Sequence, residues 1–230
     1  MAPDSVAMMT YGQGWVLSAP EALVEKAEAS CNRKSFAEIA REGDGQQELW
    51  FVRGARDEER TTVRNVANYE PLSTVAESLK VSVWSHYFHW YCDAASWSGR
   101  PTGAYVRLIQ KEDQDVWGQW LRWPGPSWGL SSKSSDTYEA FGYVLDGRLV
   151  SVAQVVLGPE DFAWDFGVYT MPEFRGRGFA VEACRAATES IIGHGRVPWY
   201  YYNHYNTPSS RLPRKLGYFL YSEALVSHGG

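Results

Sequence analysis

The residues best suited to chemistry are Arg175-Gly176-Arg177-Gly178-Phe179-Ala180. Glycines at such spacing let successive backbone amides turn toward one point. At the start of a helix, that point also gathers partial positive charge, giving an anion site suited to phosphate or pyrophosphate. Arg175 and Arg177 add formal charge. The segment is not a Walker loop, because no Gly-Lys-Ser/Thr follows. It is not a dinucleotide fingerprint either, because the last glycine is missing and the preceding elements read as a hairpin meander rather than a βαβ unit. Taken alone, Gly-Arg-Gly would be no more than a tight turn. His86-Tyr-Phe-His89 has no accompanying Cys, His or carboxylate set, so aromatic packing outweighs metal binding and no metal is expected. No serine stands in a Gly-x-Ser-x-Gly elbow, so a hydrolase has no support.

The elements that must hold this loop follow from pattern. Thr137–Leu145 and Arg148–Leu157 read as strands joined by Asp146-Gly147, a pair that supplies the positive φ angles of a two-residue hairpin. A third strand, Phe162–Thr170, runs through Met171-Pro-Glu-Phe174 into the glycine loop, and a helix follows to about Ile192 with Ala180, Cys184, Ala187 and Ile191 on one face. Val197–His204 reads as a strand, then a short helix, then a last strand from Gly217 to Leu225. Upstream, Ala104–Ile109 has strand character and Lys111–Trp123 helical spacing, stopped by Pro124-Gly-Pro126. The first hundred residues read as a mixed α/β segment. Ser18–Glu21 and Ser35–Glu38 look like capping boxes. Glu48–Arg53 reads as a strand, and Val81–Tyr91 alternates, which places Trp84, His86, Phe88 and Trp90 on one face if it is extended; a helix is the alternative reading. Asp93 to Pro101 looks like the boundary.

In these surroundings the loop becomes specific. Gly167 through Ala180 resembles motif A of the GNAT acetyltransferase superfamily, with Arg175, Gly178 and Ala180 in its three fixed places. Asn206-Thr-Pro-Ser209 through Lys215-Leu-Gly-Tyr218, beginning 26 residues after Ala180, resembles the family's second signature. The likeness covers about residues 101–225. It implies an α/β (α+β) acyl-CoA N-acyltransferase fold: a mixed, mostly antiparallel, splayed sheet flanked by helices. Residues 1–100 would form an appended α/β lobe and residues 101–230 the acetyltransferase domain. The same resemblance implies acetyl-CoA or coenzyme A as cosubstrate. Amides of Gly176, Arg177, Gly178, Phe179 and Ala180, with Arg175, would hold the pyrophosphate. Val168, Tyr169 and Thr170 would line the pantetheine arm, and Asn206 and Ser209 would contact it or the pyrophosphate. The Val168 amide would donate to the thioester oxygen. Asp165 stands where the family often carries a base, with Glu160 and Asp161 as competitors. The usual acid, a tyrosine seven residues past the asparagine, is replaced by Pro213, which should also shorten or kink its helix. Tyr205, Tyr202 and Tyr218 are the candidate substitutes, and nothing in the sequence separates them.

Composition narrows the acceptor. The 230 residues carry 22 basic and 27 acidic side chains, a net charge of −5, which argues against a nonspecific nucleic-acid partner. No run approaches the ~20 apolar residues of a membrane span. With three scattered cysteines and no evident signal peptide, the reading is a cytoplasmic protein. Eleven tryptophans are several times ordinary usage; packing explains most, and an aromatic-walled cleft for a cationic or ring-bearing ligand is the sharper alternative. The expectation is an N-acetyltransferase acting on the primary amine of a small molecule, such as an antibiotic or related metabolite. A protein or peptide acceptor, and a non-catalytic acyl-CoA-binding module, stay open, as does the oligomeric state.

Overall fold

The computed structural model describes residues 7–11, 14–19, 24–25, 49–51, 61–63, 81–99, 103–110, 112–122, 137–157, 162–203 and 206–229. Its strands are β1 (Ala7–Tyr11), β2 (Gly14–Ser18), β3 (Leu49–Phe51), β4 (Thr61–Val63), β5 (Val81–Tyr91), β6 (Val106–Leu108), β7 (Thr137–Leu145), β8 (Arg148–Val156), β9 (Ala163–Thr170), β10 (Val197–Asn203) and β11 (Phe219–Gly229). Among the described residues, the helices with defined bounds are α1 (Gln114–Arg122), α2 (Phe179–Gly193), α3 (Thr207–Ser210) and α4 (Leu212–Leu216), with a 3-10 turn at Pro172–Phe174.

Nine strands form one sheet in the order β2-β1-β11-β5-β10-β9-β8-β7-β6, while β3 and β4 pair separately. Every described pairing in it is antiparallel except β9 with β10, so the mixed, mostly antiparallel α+β sheet is observed. Asp146 and Gly147 both take positive φ, 49° and 74°, which matches the strand twist and closes the β7–β8 hairpin as Asp-Gly predicts. The segment before residue 100 does not stand outside this sheet. Its β5 lies between β10 and β11, and β1 and β2 extend the sheet beyond β11.

Among the described residues, two apolar clusters hold the sheet. The larger places Ala183, Cys184, Ala187 and Ile191 of α2 with Ala153 and Val155 of β8, Trp164 and Phe166 of β9, and Trp90, Tyr200 and Tyr202. The smaller joins Val116 of α1 to Ile109, Ala140, Leu149 and Val152. The predicted α2 stripe is thus buried at three of its four positions, with Ala180 half-buried at the mouth of the helix. Cys92 and Cys184 are buried free thiols, and Cys31 lies outside the described residues.

Several sequence expectations move. The expected α3–α4 helix is interrupted, because Arg211 separates two short helices and Pro213 sits buried in the first turn of the second. There its missing amide costs nothing, since first-turn amides lack helical acceptors anyway. Asn206 is the N-cap of α3. Ser18 ends a strand rather than opening a helix. Glu21, Ser35–Glu38, and Trp123 with the proline stop at 124–126 lie outside the described residues. Among the described residues, no helix is long and apolar enough to cross a membrane.

Because Ile191 is wholly buried at the far end of α2 from the glycine loop, Ile191→Ala should leave a cavity and cost about 2–5 kcal/mol in urea unfolding. A loss under 1 kcal/mol would contradict this packing.

Candidate functional site: a parted strand beside a glycine loop

The ladder between β9 and β10 is short. Ala163, Trp164 and Asp165 pair with Val197, Pro198 and Trp199, and there the pairing stops. Beyond that point β9 continues along β8 as far as Thr170, while β10 continues along β5 as far as Asn203. The two strands therefore part, leaving an opening between their inner edges. On its core side Phe166 stacks on Tyr200, with ring centroids 5.4 Å apart.

Strand geometry says which groups face the opening, because successive residues direct their backbone polar groups to alternate edges. The Phe162 carbonyl accepts from the Val197 amide, so even positions of β9 face β10. The Met171 amide donates to the Val150 carbonyl, so odd positions face β8. Val168 and Thr170 accordingly present amide and carbonyl to the opening. The Thr170 carbonyl there accepts from Arg175 Nε at 3.2 Å.

The glycine loop closes one end of the opening. Gly176 and Gly178 take φ of 78° and 87°, a region that a side chain would strain, and Gly178 is the N-cap of α2. The amides of Val181 and Glu182 bond the Gly178 carbonyl, whereas those of Gly176 to Ala180 donate to no backbone carbonyl among the described residues. A Cβ added at Gly176 or Gly178 would meet no atom within 4 Å. The nest of amides is thus open to a ligand, with Arg175 over the Tyr169 ring and Arg177 over Phe174. Arg148 is held to Glu173 at 2.5 Å and stacks on Phe174, bracing the turn before the loop.

Asp165 occupies the point of parting. Burial pushes its carboxyl up to about 6, and its Oδ1 is buried without a hydrogen-bond partner among the described residues. Tyr201 is close by: burial first, and the Asp165 charge second, raise its hydroxyl pKa. His89, stacked on Trp199 and on Tyr201, is depressed to about 4 by burial and so is neutral at pH 7. Sequence reading assigned His89 to aromatic packing, as its stacking bears out, and passed over Trp199 and Tyr201. The signal was present in the alternation of both strands, but only their pairing shows that the odd positions meet Asp165.

Other predicted residues fall less directly. Asn206 Oδ1 caps α3 by accepting from the Ser209 amide at 3.3 Å. Tyr218 is buried with its hydroxyl 2.7 Å from Thr188, and Tyr202 stacks on Phe88 in the core; neither points to the opening. Tyr205, Glu160 and Asp161 lie outside the described residues. His86 bonds Glu223 at 3.0 Å, and on a strand it faces away from His89, so the two imidazoles form no common ligand pair.

Residues 144–226 match the sequence model of a family described as FR47-like protein. Among solved structures, the chain is similar to a protein described as a GNAT-family acetyltransferase from Novosphingobium aromaticivorans DSM 12444. Identity is 23% and TM-score 0.51, over 64% of this chain and 65% of that one. A GNAT-family acetyltransferase from Colwellia psychrerythraea gives 13% identity and a TM-score of 0.51 over 70% and 62%. A GCN5-related N-acetyltransferase from Sphaerobacter thermophilus gives 11% and 0.50 over 97% and 76%. The match thus spans a little under two thirds of the first two proteins' length. A search of curated proteins finds no match. The fold is that of the GNAT acetyltransferases, with an FR47-like segment across the parted strands, and the resemblance read from the glycine loop holds at this level.

The raised Asp165 pKa has a sign for stability. Its folded value, about 6, exceeds the ordinary 3.8, so the fold prefers the protonated form. Ionisation then removes stability as pH rises from about 4 to 6, by about 3 kcal/mol when complete. Asp165→Asn should therefore gain on the wild type over this range and hold the gain at pH 7.5, measured by urea unfolding. A pH-independent difference would contradict the buried placement.

Proposed function

We propose that the protein is an acetyl-CoA-dependent N-acetyltransferase acting on the primary amine of a small molecule. The observation that carries the reading is the parting of β9 from β10 beside an open nest of amides at the start of α2. The residues present fit coenzyme A. Val168 and Thr170 offer a strand edge to an extended pantetheine arm, and the amides of Gly176 to Ala180 with Arg175 offer an anion site for pyrophosphate. Bound acetyl-CoA supplies an activated acetyl thioester. Val168's amide then donates to the thioester oxygen, and a preorganised donor there is worth about 3–4 kcal/mol as negative charge develops. Asp165 takes a proton from the incoming ammonium, directly or through a water, and the neutral amine so formed attacks the thioester carbon. The new C–N bond forms as the C–S bond breaks, and the thiolate leaves with a proton from Tyr205 or from solvent.

Within this reading residues 101–230 are the catalytic domain, and residues 1–100 are a lobe lending β1, β2 and β5 to its sheet. Buried free thiols at Cys92 and Cys184 support a reducing, cytoplasmic setting. A second reading, cofactor binding without turnover, is favoured by one observation: Pro213, at the usual acid position, is buried in α4 and donates no proton.

Calorimetry with acetyl-CoA should give one site per chain, abolished in Gly178→Trp, and mass spectrometry should find an acetyl group added to an amine. Failure of binding sinks the proposal; binding without any acetylated product selects the second reading. Since Asp165 must be ionised to act, kcat/KM should rise with pH through about 6. Asp165→Asn should lower it by about 10²- to 10⁴-fold, on the scale of general-base catalysis. Retained activity in that variant would remove Asp165 from the mechanism.

A further inference from the structure

The acyl-transfer reading leaves the acceptor undefined, and the sheet face around Asp165 restricts it. In the β9–β10 ladder Asp165 stands opposite Trp199. Trp199 stands opposite Tyr91 of β5, and Tyr91 opposite Phe219 of β11. Directly paired residues share a face, so one row runs from a carboxylate across three aromatic rings. The neighbouring row adds Tyr201 opposite His89. The rings are in contact: His89 to Trp199 5.4 Å, His89 to Tyr201 5.8 Å, Trp199 to Tyr201 5.1 Å and Tyr91 to Phe219 4.1 Å between centroids. The larger core does not use this face. It takes the even positions Trp90, Tyr200 and Tyr202, whereas Tyr201 and Phe219 remain 43% and 37% exposed. Gly167 lies two residues beyond Asp165 on the same side of β9, and a Cβ there would meet no atom within 4 Å. Open space therefore lies two residues along the strand from the carboxylate, on its own side of the sheet.

Resting on that reading, we propose that this face is the acceptor site, and that the acceptor is a primary amine carried on a planar aromatic body. The ammonium seats in the space at Gly167 against Asp165, where the charges are complementary, and the planar body lies over Trp199 and Tyr201 in offset-stacked contact. Neutral His89 adds a further ring without repelling the cation. The backbone favours this occupant over a peptide: β10 is paired to β5 and β5 to β11, so the face offers ring surfaces and one carboxylate, not a strand edge. Since β5 supplies His89 and Tyr91, the segment before residue 100 shapes acceptor choice.

The test uses the full chain, with acetyl-CoA binding measured first in the same preparation. Tryptamine and phenethylamine are compared with hexylamine, spermidine and a lysine-containing peptide. The aromatic amines should exceed hexylamine in kcat/KM by about tenfold or more. Tyr201→Leu, and Phe219→Leu as a second variant should the first not fold, should lower the tryptamine-to-hexylamine ratio about 2- to 10-fold, mostly through KM. Hexylamine, spermidine or peptide matching the aromatic amines, or a ratio unmoved in a folded variant, overturns the acceptor assignment while acetyl transfer stands. Should acetyl-CoA not bind, the parent reading falls. Direct calorimetric titration with tryptamine then decides the face alone: saturable binding weakened by Tyr201→Leu supports it, and its absence overturns it.

Discussion

The site depends on a ladder that ends early. Backbone amides and carbonyls inside a protein are rarely left without partners, since each orphan costs about 1–3 kcal/mol. A strand that leaves its neighbour midway therefore needs either water or another extended chain along the exposed edge. Here β9 is secured on its other edge by β8 through Thr170, and β10 by β5 through Asn203, so neither strand needs the other to stay extended. The opening is stable because both of its walls are paired from behind.

That arrangement gives the segment before residue 100 a structural duty. Without β5, β10 would keep only its three-residue pairing with β9, and β11 would keep only β1. Inserting β5 between them holds β10 rigid past the point of parting and carries aromatic side chains to both faces of the sheet. Its even positions complete the core under α2, and its odd positions meet Asp165's row. One eleven-residue strand thus serves packing and site at once, which a period of two makes natural.

What could be read from the sequence was local. The Asp146-Gly147 turn, the limits of β7, β8 and β9 to within a residue, and the start of α2 at the glycine loop each follow from rules spanning a few residues, and each is found in place. The parting of β9 from β10 was legible only through the motif's resemblance, because no residue between Asp165 and Thr170 signals by itself that a neighbour is missing. The position of β5 was not legible at all. Strand order depends on which edges are left exposed elsewhere in the chain, a non-local matter that alternation within Val81–Tyr91 cannot report. For the same reason the sequence marked Asp165 without connecting it to His89 or Trp199: Trp199 pairs with it directly from 34 residues further on, and His89 joins through Tyr201, 112 residues away in the chain.

Asp165 also shows how such a site stays poised. A buried carboxylate is costly to ionise, and with its pKa pushed up to about 6 it is mostly charged at pH 7 despite that cost. The fold thus carries a charge that its surroundings do not fully satisfy. A cation arriving in the space by Gly167 would relieve the penalty, and burial would strengthen the attraction, because a low local dielectric magnifies both the cost of an isolated charge and the gain from pairing it. Proton transfer from the cation to the carboxylate then neutralises both partners, which the same environment favours. On the proposed acyl-transfer reading, the burial that weakens the fold would thus draw in an ammonium and help convert it to the neutral amine that the transfer requires.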